Sequence, residues 1–599
     1  MSAAVCISPA TAQQPSTPVY ITGNAAVTGF SGTLPPVQIA AGVDPNRKTF
    51  IDLNGPSLRI VDLQNMGGPA KAQLVGAPKL FTFPAASIGQ VFGVAIDDAP
   101  HPNIYAAASS AYGLPIVAPG ADGQAEHVPV GARKAAFMPG LWGPHGGPGQ
   151  QGGPGSIWKI DGLTGKVSLL TNVTLNGRGN SGAALGGLAY NPDSPSLYVA
   201  DRESGMIHHL ATSGSNLGSY DHGVTGRAAL GLPPVPWNPQ RTIDITSPRF
   251  DSTQPATWNY AAAERRIFGL AVYQHRLYYA VADGLQIWSV GLSPDGGFGS
   301  DAVIELVVPP AGGPTEVSKI TFDEQGRMYL ADRPAPTGAF DFEALAVGGI
   351  GRVLRYAVTA TMPDGRRIWQ QQPDPYAIGF PQRFRNGNGG VAIGYNYDRL
   401  GNLVVRTCGG FMWTTGEDLR HPADDALAAL LAKSGALDIN GLQGNGTWAI
   451  HREGEPPLDS YFVDYFDGIS DVAPDVAARG HMGDVAIERQ CSPAQRASLR
   501  TGGLQPSGAP PPAGSSPPGS GNPPNKPPPP PIIPPGGCEP GQVRRGGTQD
   551  CTTCSRPNIL IGDVCCSPAQ LSANGACSNS SCQAGQTPIP PSNFCCNSG

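Results

Sequence analysis

Six short stretches of this chain share one grammar, and a unit that cannot bury both of its faces alone must stack against its copies. They are 92–97 (FGVAID), 186–191 (GGLAYN), 268–273 (FGLAVY), 318–323 (SKITFD), 390–396 (GVAIGYN) and 483–488 (GDVAIE). Each is an apolar strand entered through a small or polar residue and left through a polar one. Several run through a turn into a second strand with its own signature, LYVADR at 197–202 and MYLADR at 328–333. Third strands follow at 156–161 (SIWKID), 206–210 (MIHHL), 285–290 (LQIWSV) and 352–357 (RVLRYA). That order predicts an all-β fold, a six-bladed β-propeller, with seven blades as the alternative count.

The repeats start roughly 50 to 95 residues apart, more than a minimal four-stranded blade needs, so long loops are inserted between strands. One is expected over 118–156, where GLWGPHGGPGQQGGPGS reads as a mobile surface loop. A helix is expected after Pro422-Ala423-Asp424-Asp425, carried by ALAALLAKS and ended by Gly435. Near the N-terminus an edge strand is expected at 19–22. The pattern TFIDLNGPSLRIVD at 49–62 predicts a hairpin that completes a blade begun by the end of the domain.

The repeat phrases resemble those of six-bladed propellers of the NHL and SMP-30/gluconolactonase-like superfamily, over about residues 49–491. The resemblance implies a polar channel mouth and, for the SMP-30-like lactonases, a metal held there by acidic and amide residues. No residue-by-residue transfer of those ligands is licensed by the motifs in this chain.

Beyond the propeller the composition changes. Residues 505–537 contain PPPAGSSPPGSGNPPNKPPPPPIIPPGG, a spacer mixing polyproline II with flexible Gly-Ser parts. Nine of the 12 cysteines follow it: Cys538, Cys551, Cys554, Cys565, Cys566, Cys577, Cys582, Cys595 and Cys596. Such density predicts a disulfide-stapled module in an oxidising compartment. Nine is odd, so one is free, pairs between chains, or bonds to Cys491 or Cys408. Cys551-x-x-Cys554 has zinc-ligand spacing, but the tail offers no second pair at finger spacing and no histidine. The expected segments are therefore 1–45, a truncated signal peptide and disordered lead; 46–492, the propeller; 493–537, the linker; and 538–599, the cysteine-rich module. Ala10-Thr11-Ala12 before Gln13 is the small-residue cleavage pattern behind the signal-peptide reading.

Several functions are disfavoured. Charged residues are 14 % with net charge −6, and no basic face is concentrated enough for a nucleic-acid partner. No run of about 18 apolar residues predicts a membrane span. Gly177 to Gly182 match G-x-G-x-x-G, but a strand rather than a helix follows, so the match is a turn. His208 and His209 point to opposite faces of one strand and cannot share an ion.

The polar residues that converge are those at second-strand ends and innermost-strand entrances, which a propeller places on one face. They are Asp201, Arg202, Asp283, Glu316, Asp332, Arg333, Asn388 and Asp484, with Asp464 as a further second-strand candidate. Their oxygens could hold calcium; otherwise no cofactor is expected. The competing reading has aspartates capping turns, with Arg202 and Arg333 pairing with them. Together these features predict a secreted, periplasmic or cell-surface propeller that binds a protein, glycan or envelope component and carries a stalked disulfide-rich tail. The alternative is a metal-dependent lactonase or hydrolase at the channel mouth. Catalytic residues are not identifiable.

Overall fold

A computed structural model describes residues 18–490 except 37, 39–40, 145–150, 364, 373–375, 449–454 and 467–480. Beyond residue 490 it describes only the backbone of three hairpins. Six four-stranded antiparallel sheets form the framework of the described chain. Blade one is Val91–Ile96, Ile104–Ala108, Ser156–Ile160 and Val167–Asn172, from the innermost strand outward. Blade two is Leu185–Asn191, Ser196–Asp201, Met206–Ala211 and Asn216–Asp221. Blade three is Ile267–Tyr273, Arg276–Val281, Gln286–Gly291 and Val303–Val307. Blade four is Thr315–Phe322, Met328–Pro334, Val353–Thr361 and Arg367–Gln371. Blade five is Gly387–Tyr397, Leu403–Gly416, Gly441–Gly446 and Ser460–Asp464.

Blade six closes the ring with both ends of the domain. Its innermost strand, Met482–Ala486, comes from the C-terminal side and pairs with Ala25–Gly29, which is followed outward by Pro56–Val61 and Lys79–Pro84. The innermost strands touch in an unbroken cycle, so among the described residues six blades complete the circle. Two sequence expectations are corrected here. The propeller begins before residue 46, because Ala25–Gly29 is a wholly buried strand. Nor is 49–62 a single blade hairpin: Phe50–Ile51 pairs with Thr33–Leu34 in a separate small sheet, and only Pro56–Val61 enters the blade. No strand forms at 19–22; Val19 and Tyr20 are simply buried.

Stacking explains the repeat grammar. Second strands such as Ser196–Asp201 and Met328–Pro334 are buried along their whole length, as strands covered on both faces must be. Outermost strands such as Val303–Val307 are half exposed. The polar residue that leaves an innermost strand caps the following turn. Asp97 accepts from the backbone N–H of Asn103 at 2.7 Å and from Tyr105 Oη at 3.0 Å, and Asp323 repeats this with Arg327 N and Tyr329 Oη, both at 3.0 Å. The expected helix is Asp425–Leu431, N-capped by Asp424, whose Oδ1 accepts from Leu427 N at 2.7 Å.

The described part of the blade-one insertion before 145–150, up to residue 144, is not a free loop. Ile116–Pro119, Ala125–Val128 and Ala136–Phe137 form a three-stranded sheet, and Leu141 and Trp142 behind it are buried. With Phe250, Trp258, Phe342 and Leu345 from other insertions they build one apolar cluster that also takes Phe92 and Phe268 at the inner strand entrances. Apolar content, not glycine count, decided the outcome. By contacts the chain divides after Ser507. In the C-terminal unit Gln542–Arg544 pairs with Cys551–Thr553, Ile559–Ile561 with Val564–Cys566, and Gln586–Ile589 with Phe594–Asn597. The bridges expected for its cysteines, the signal peptide and the linker lie outside the described residues. Cys408, on a blade-five strand, is disulfide-bonded.

Candidate functional site

The axis of the ring is made narrow by glycine. A Cβ on Gly93 would lie 2.5 Å from Gly186 O, and one on Gly187 would lie 2.9 Å from Phe268 O, so neighbouring inner strands approach backbone to backbone. Each ladder slips at this position. Blade four has Lys319 where blades one, two and three have Gly93, Gly187 and Gly269, and the Ser318 before it donates through Oγ to Gly389 O at 2.8 Å, a link to blade five.

From that glycine position Lys319 reaches across the axis. Its Nζ lies 2.6 Å from Asp484 Oδ2 of blade six and 3.2 Å from Val94 O of blade one. The same Asp484 oxygen accepts from Val94 N at 3.1 Å, and Oδ1 accepts from Val485 N at 2.8 Å. Burial pushes the Asp484 carboxyl up from its ordinary range, and the Lys319 charge opposes this without fully offsetting it. The pair divides the channel into two unlike ends.

At the end where the inner strands begin, the apolar cap lies over the sequence-predicted residues. Arg202 and Arg333 are each 1 % exposed and Glu316 7 %. Arg202 Nη2 donates to Glu316 Oε2 at 2.5 Å, and Arg266 Nε lies 3.1 Å from Glu316 Oε1. Burial alone would raise the Glu316 carboxyl, but the two guanidinium charges more than offset it and hold it below the usual range. Arg333 Nη2 donates to Ala111 O at 3.1 Å, and its guanidinium lies 4.9 Å from the Phe92 ring centroid. The expectation that Arg202 and Arg333 pair with their preceding aspartates is therefore corrected. Pairing depends on which blade faces which, not on sequence adjacency.

The aspartates are occupied locally. Asp201 accepts from Asn180 Nδ2 at 2.7 Å, Glu203 N at 3.0 Å and Ser204 Oγ at 2.6 Å. Asp332 accepts from Arg352 Nη2 at 2.7 Å and Nε at 3.0 Å; burial nonetheless leaves its carboxyl above the ordinary range. Asn388 donates to Glu417, which also accepts from Met482 N at 3.0 Å. Asp283 is exposed at the start of the short helical turn Asp283–Leu285, and Asp464 ends an outermost strand, not a second one. Of the eight candidates the structure thus gathers Arg202, Glu316 and Arg333 into one cluster and disperses the others. Among the described residues the one group with metal-ligand geometry is Asp418, His421 and Asp438, which lies on the surface.

The opposite end is open. Where the inner strands exit, a well of about 990 Å3 descends to Lys319. Its wall is set by small residues at matching places, Ala95, Ala189, Ala271, Thr321 and Ala392. At the rim Tyr190 Oη donates to Asp98 at 2.6 Å, Tyr273 stacks on Phe322 with centroids 4.3 Å apart, and Arg489 pairs with Glu324. Burial raises the Glu488 carboxyl. None of these was singled out from sequence. The tyrosines and Lys319 stand inside the repeat phrases, and only the ring closure shows that those positions share one cavity.

Comparison with protein-family models and with curated proteins gives no match. Among solved structures the chain is similar to a chain of a nidogen/laminin complex, at 9 % identity and TM-score 0.33 over 78 % of this chain and 99 % of that one. It is similar to a putative 6-phosphogluconolactonase from Bacteroides uniformis, at 12 % identity and TM-score 0.28 over 66 % and 75 %. It is also similar to regucalcin, a calcium-binding protein from Agrobacterium tumefaciens, at 11 % identity and TM-score 0.27 over 62 % and 94 %. The propeller assignment rests on the sheet order and ring closure of this chain itself.

Proposed function

We propose that this chain is an exported binding protein that takes a segment of glycan from a cell envelope into the open well of its propeller. The observation that carries the reading is the well itself: about 990 Å3, walled by small residues of the inner strands, floored by a cross-channel ion pair and rimmed by Tyr190, Tyr273 and carboxylates. Flat aromatic faces beside hydrogen-bond acceptors suit a ligand with apolar faces and many hydroxyl donors. Export is supported by the cysteine-dense tail and by the disulfide at Cys408. No helix among the described residues is long and apolar enough to cross a membrane.

A metal-dependent lactonase at the other channel end is the competing reading. Its candidate oxygens are those of Asp201, Asp332, Glu316 and Asp484, and all four already accept from arginine, lysine or turn donors. A glycan array probed with the intact chain, run beside a lactone panel with added calcium, separates the two. Array binding without turnover is expected; turnover that needs calcium, with no glycan retained, would replace this function with the other.

A further inference from the structure

Among the described residues beneath the cap, positive charge exceeds negative. Arg202, Arg266 and Arg333 surround the single carboxylate of Glu316, and Arg202 and Arg333 are almost wholly buried. The two guanidiniums lie along one aromatic row. Arg202 is 4.5 Å from the Phe268 centroid, Arg333 is 4.9 Å from Phe92, and the Phe92 and Phe268 centroids are 5.1 Å apart. Burial holds the Arg333 guanidinium below its usual range; Tyr112 opposes the effect, and the nearby Arg202 charge adds to it.

The hydrogen bonds do not balance either. Arg202 uses Nη2 on Glu316 and Arg333 uses Nη2 on Ala111 O. Nε and Nη1 of both side chains are buried with no acceptor among the described residues. A buried donor without an acceptor costs about 1–3 kcal/mol, more when charged, and aromatic faces return only part of that. Four such nitrogens on two neighbouring side chains, with two uncompensated charges, call for an acceptor that carries negative charge.

We infer that Arg202 and Arg333 hold a small monovalent anion, a free halide or a carboxylate, between blades two and four under the cap. The anion would complete the guanidinium hydrogen bonds and fasten the capping insertions to the ring. Arg266, 25 % exposed in its side chain and ion-paired with the same Glu316, marks the way in.

The test uses the intact chain. Its thermal midpoint is measured at constant ionic strength in sodium sulfate while sodium bromide or sodium acetate replaces the salt, and crystals grown in each are examined at the cap. A saturable rise in the midpoint with bromide or acetate is expected, together with an anomalous bromide peak, or planar acetate density, between the two guanidiniums. A bromide peak alone assigns a halide site and acetate density alone a carboxylate site. In Arg333→Met the anion-dependent rise should vanish; should that variant not fold, the wild-type diffraction decides. Water alone at the position, with a midpoint indifferent to the anion, would overturn the assignment.

Discussion

Lys319 of blade four and Asp484 of blade six meet at 2.6 Å across the propeller axis, and Asp484 at the same time accepts the backbone N–H of Val94 in blade one. Three blades that are not all neighbours in the ring are therefore tied at one point. Asp484 is fully buried. Removing only its partner leaves a carboxylate that cannot reach water.

Lys319→Met should accordingly cost about 3–5 kcal/mol of unfolding free energy. Adding Asp484→Asn should recover much of that loss, since a neutral amide no longer requires a counter-charge. Denaturant unfolding of the four proteins in this cycle measures the coupling. Additive losses would show that the two side chains do not act as a pair.

The Arg202–Glu316 pair gives a pH dependence with a definite sign. The folded Glu316 carboxyl lies below its ordinary value of 4.5, so its contribution is complete above that value and is lost as the pH falls through the lower folded one. The stability difference between wild type and Glu316→Gln should be flat from about pH 5 to 8 and shrink at more acid pH. Chemical denaturation at a series of pH values checks it; a difference that grows on acidification would reverse the sign.

Gly93→Ala should destabilise by about 1–3 kcal/mol, because the new methyl meets the backbone carbonyl of Gly186, not a side chain that can turn away. Gly179→Ala, whose added methyl would meet nothing and whose φ is not in the left-handed region, serves as the packing control. Equal losses in the two variants would mean that strand approach at the axis is not what the repeat glycine serves.

Deleting residues 1–30 removes Ala25–Gly29 and leaves Met482–Ala486 without its partner strand. Cooperative unfolding should be lost, read as a broadened thermal transition. A sharp transition unchanged from wild type would show that the ring does not need its N-terminal closure.

Much of the ring could be read from residues because each repeat phrase encodes local physics. The aspartates of FGVAID and SKITFD cap their own turns, and the alternation of strands around them follows from chain order alone. The cap could not be read in this way. Its glycines mask Ile116, Met138, Leu141 and Trp142, which gain their burial only by meeting Phe250 and Phe342 from distant insertions. The same limit governs the candidate site. Arg202 and Arg333 follow aspartates in sequence, yet their partners lie on other blades or in the cap. The well is assembled from residues, Ala95, Ala189, Ala271 and Thr321, that look like ordinary core until the strands are arranged around an axis.

The most direct measurement is calorimetric titration of an array-selected envelope glycan into the intact wild-type chain, Thr321→Trp and Leu217→Ser. Thr321 lines the well, whereas Leu217 lies 52 % exposed on the outermost strand of blade two. Binding at the well predicts saturable heat for wild type and Leu217→Ser and its loss in Thr321→Trp. Equal affinity in all three proteins would contradict it.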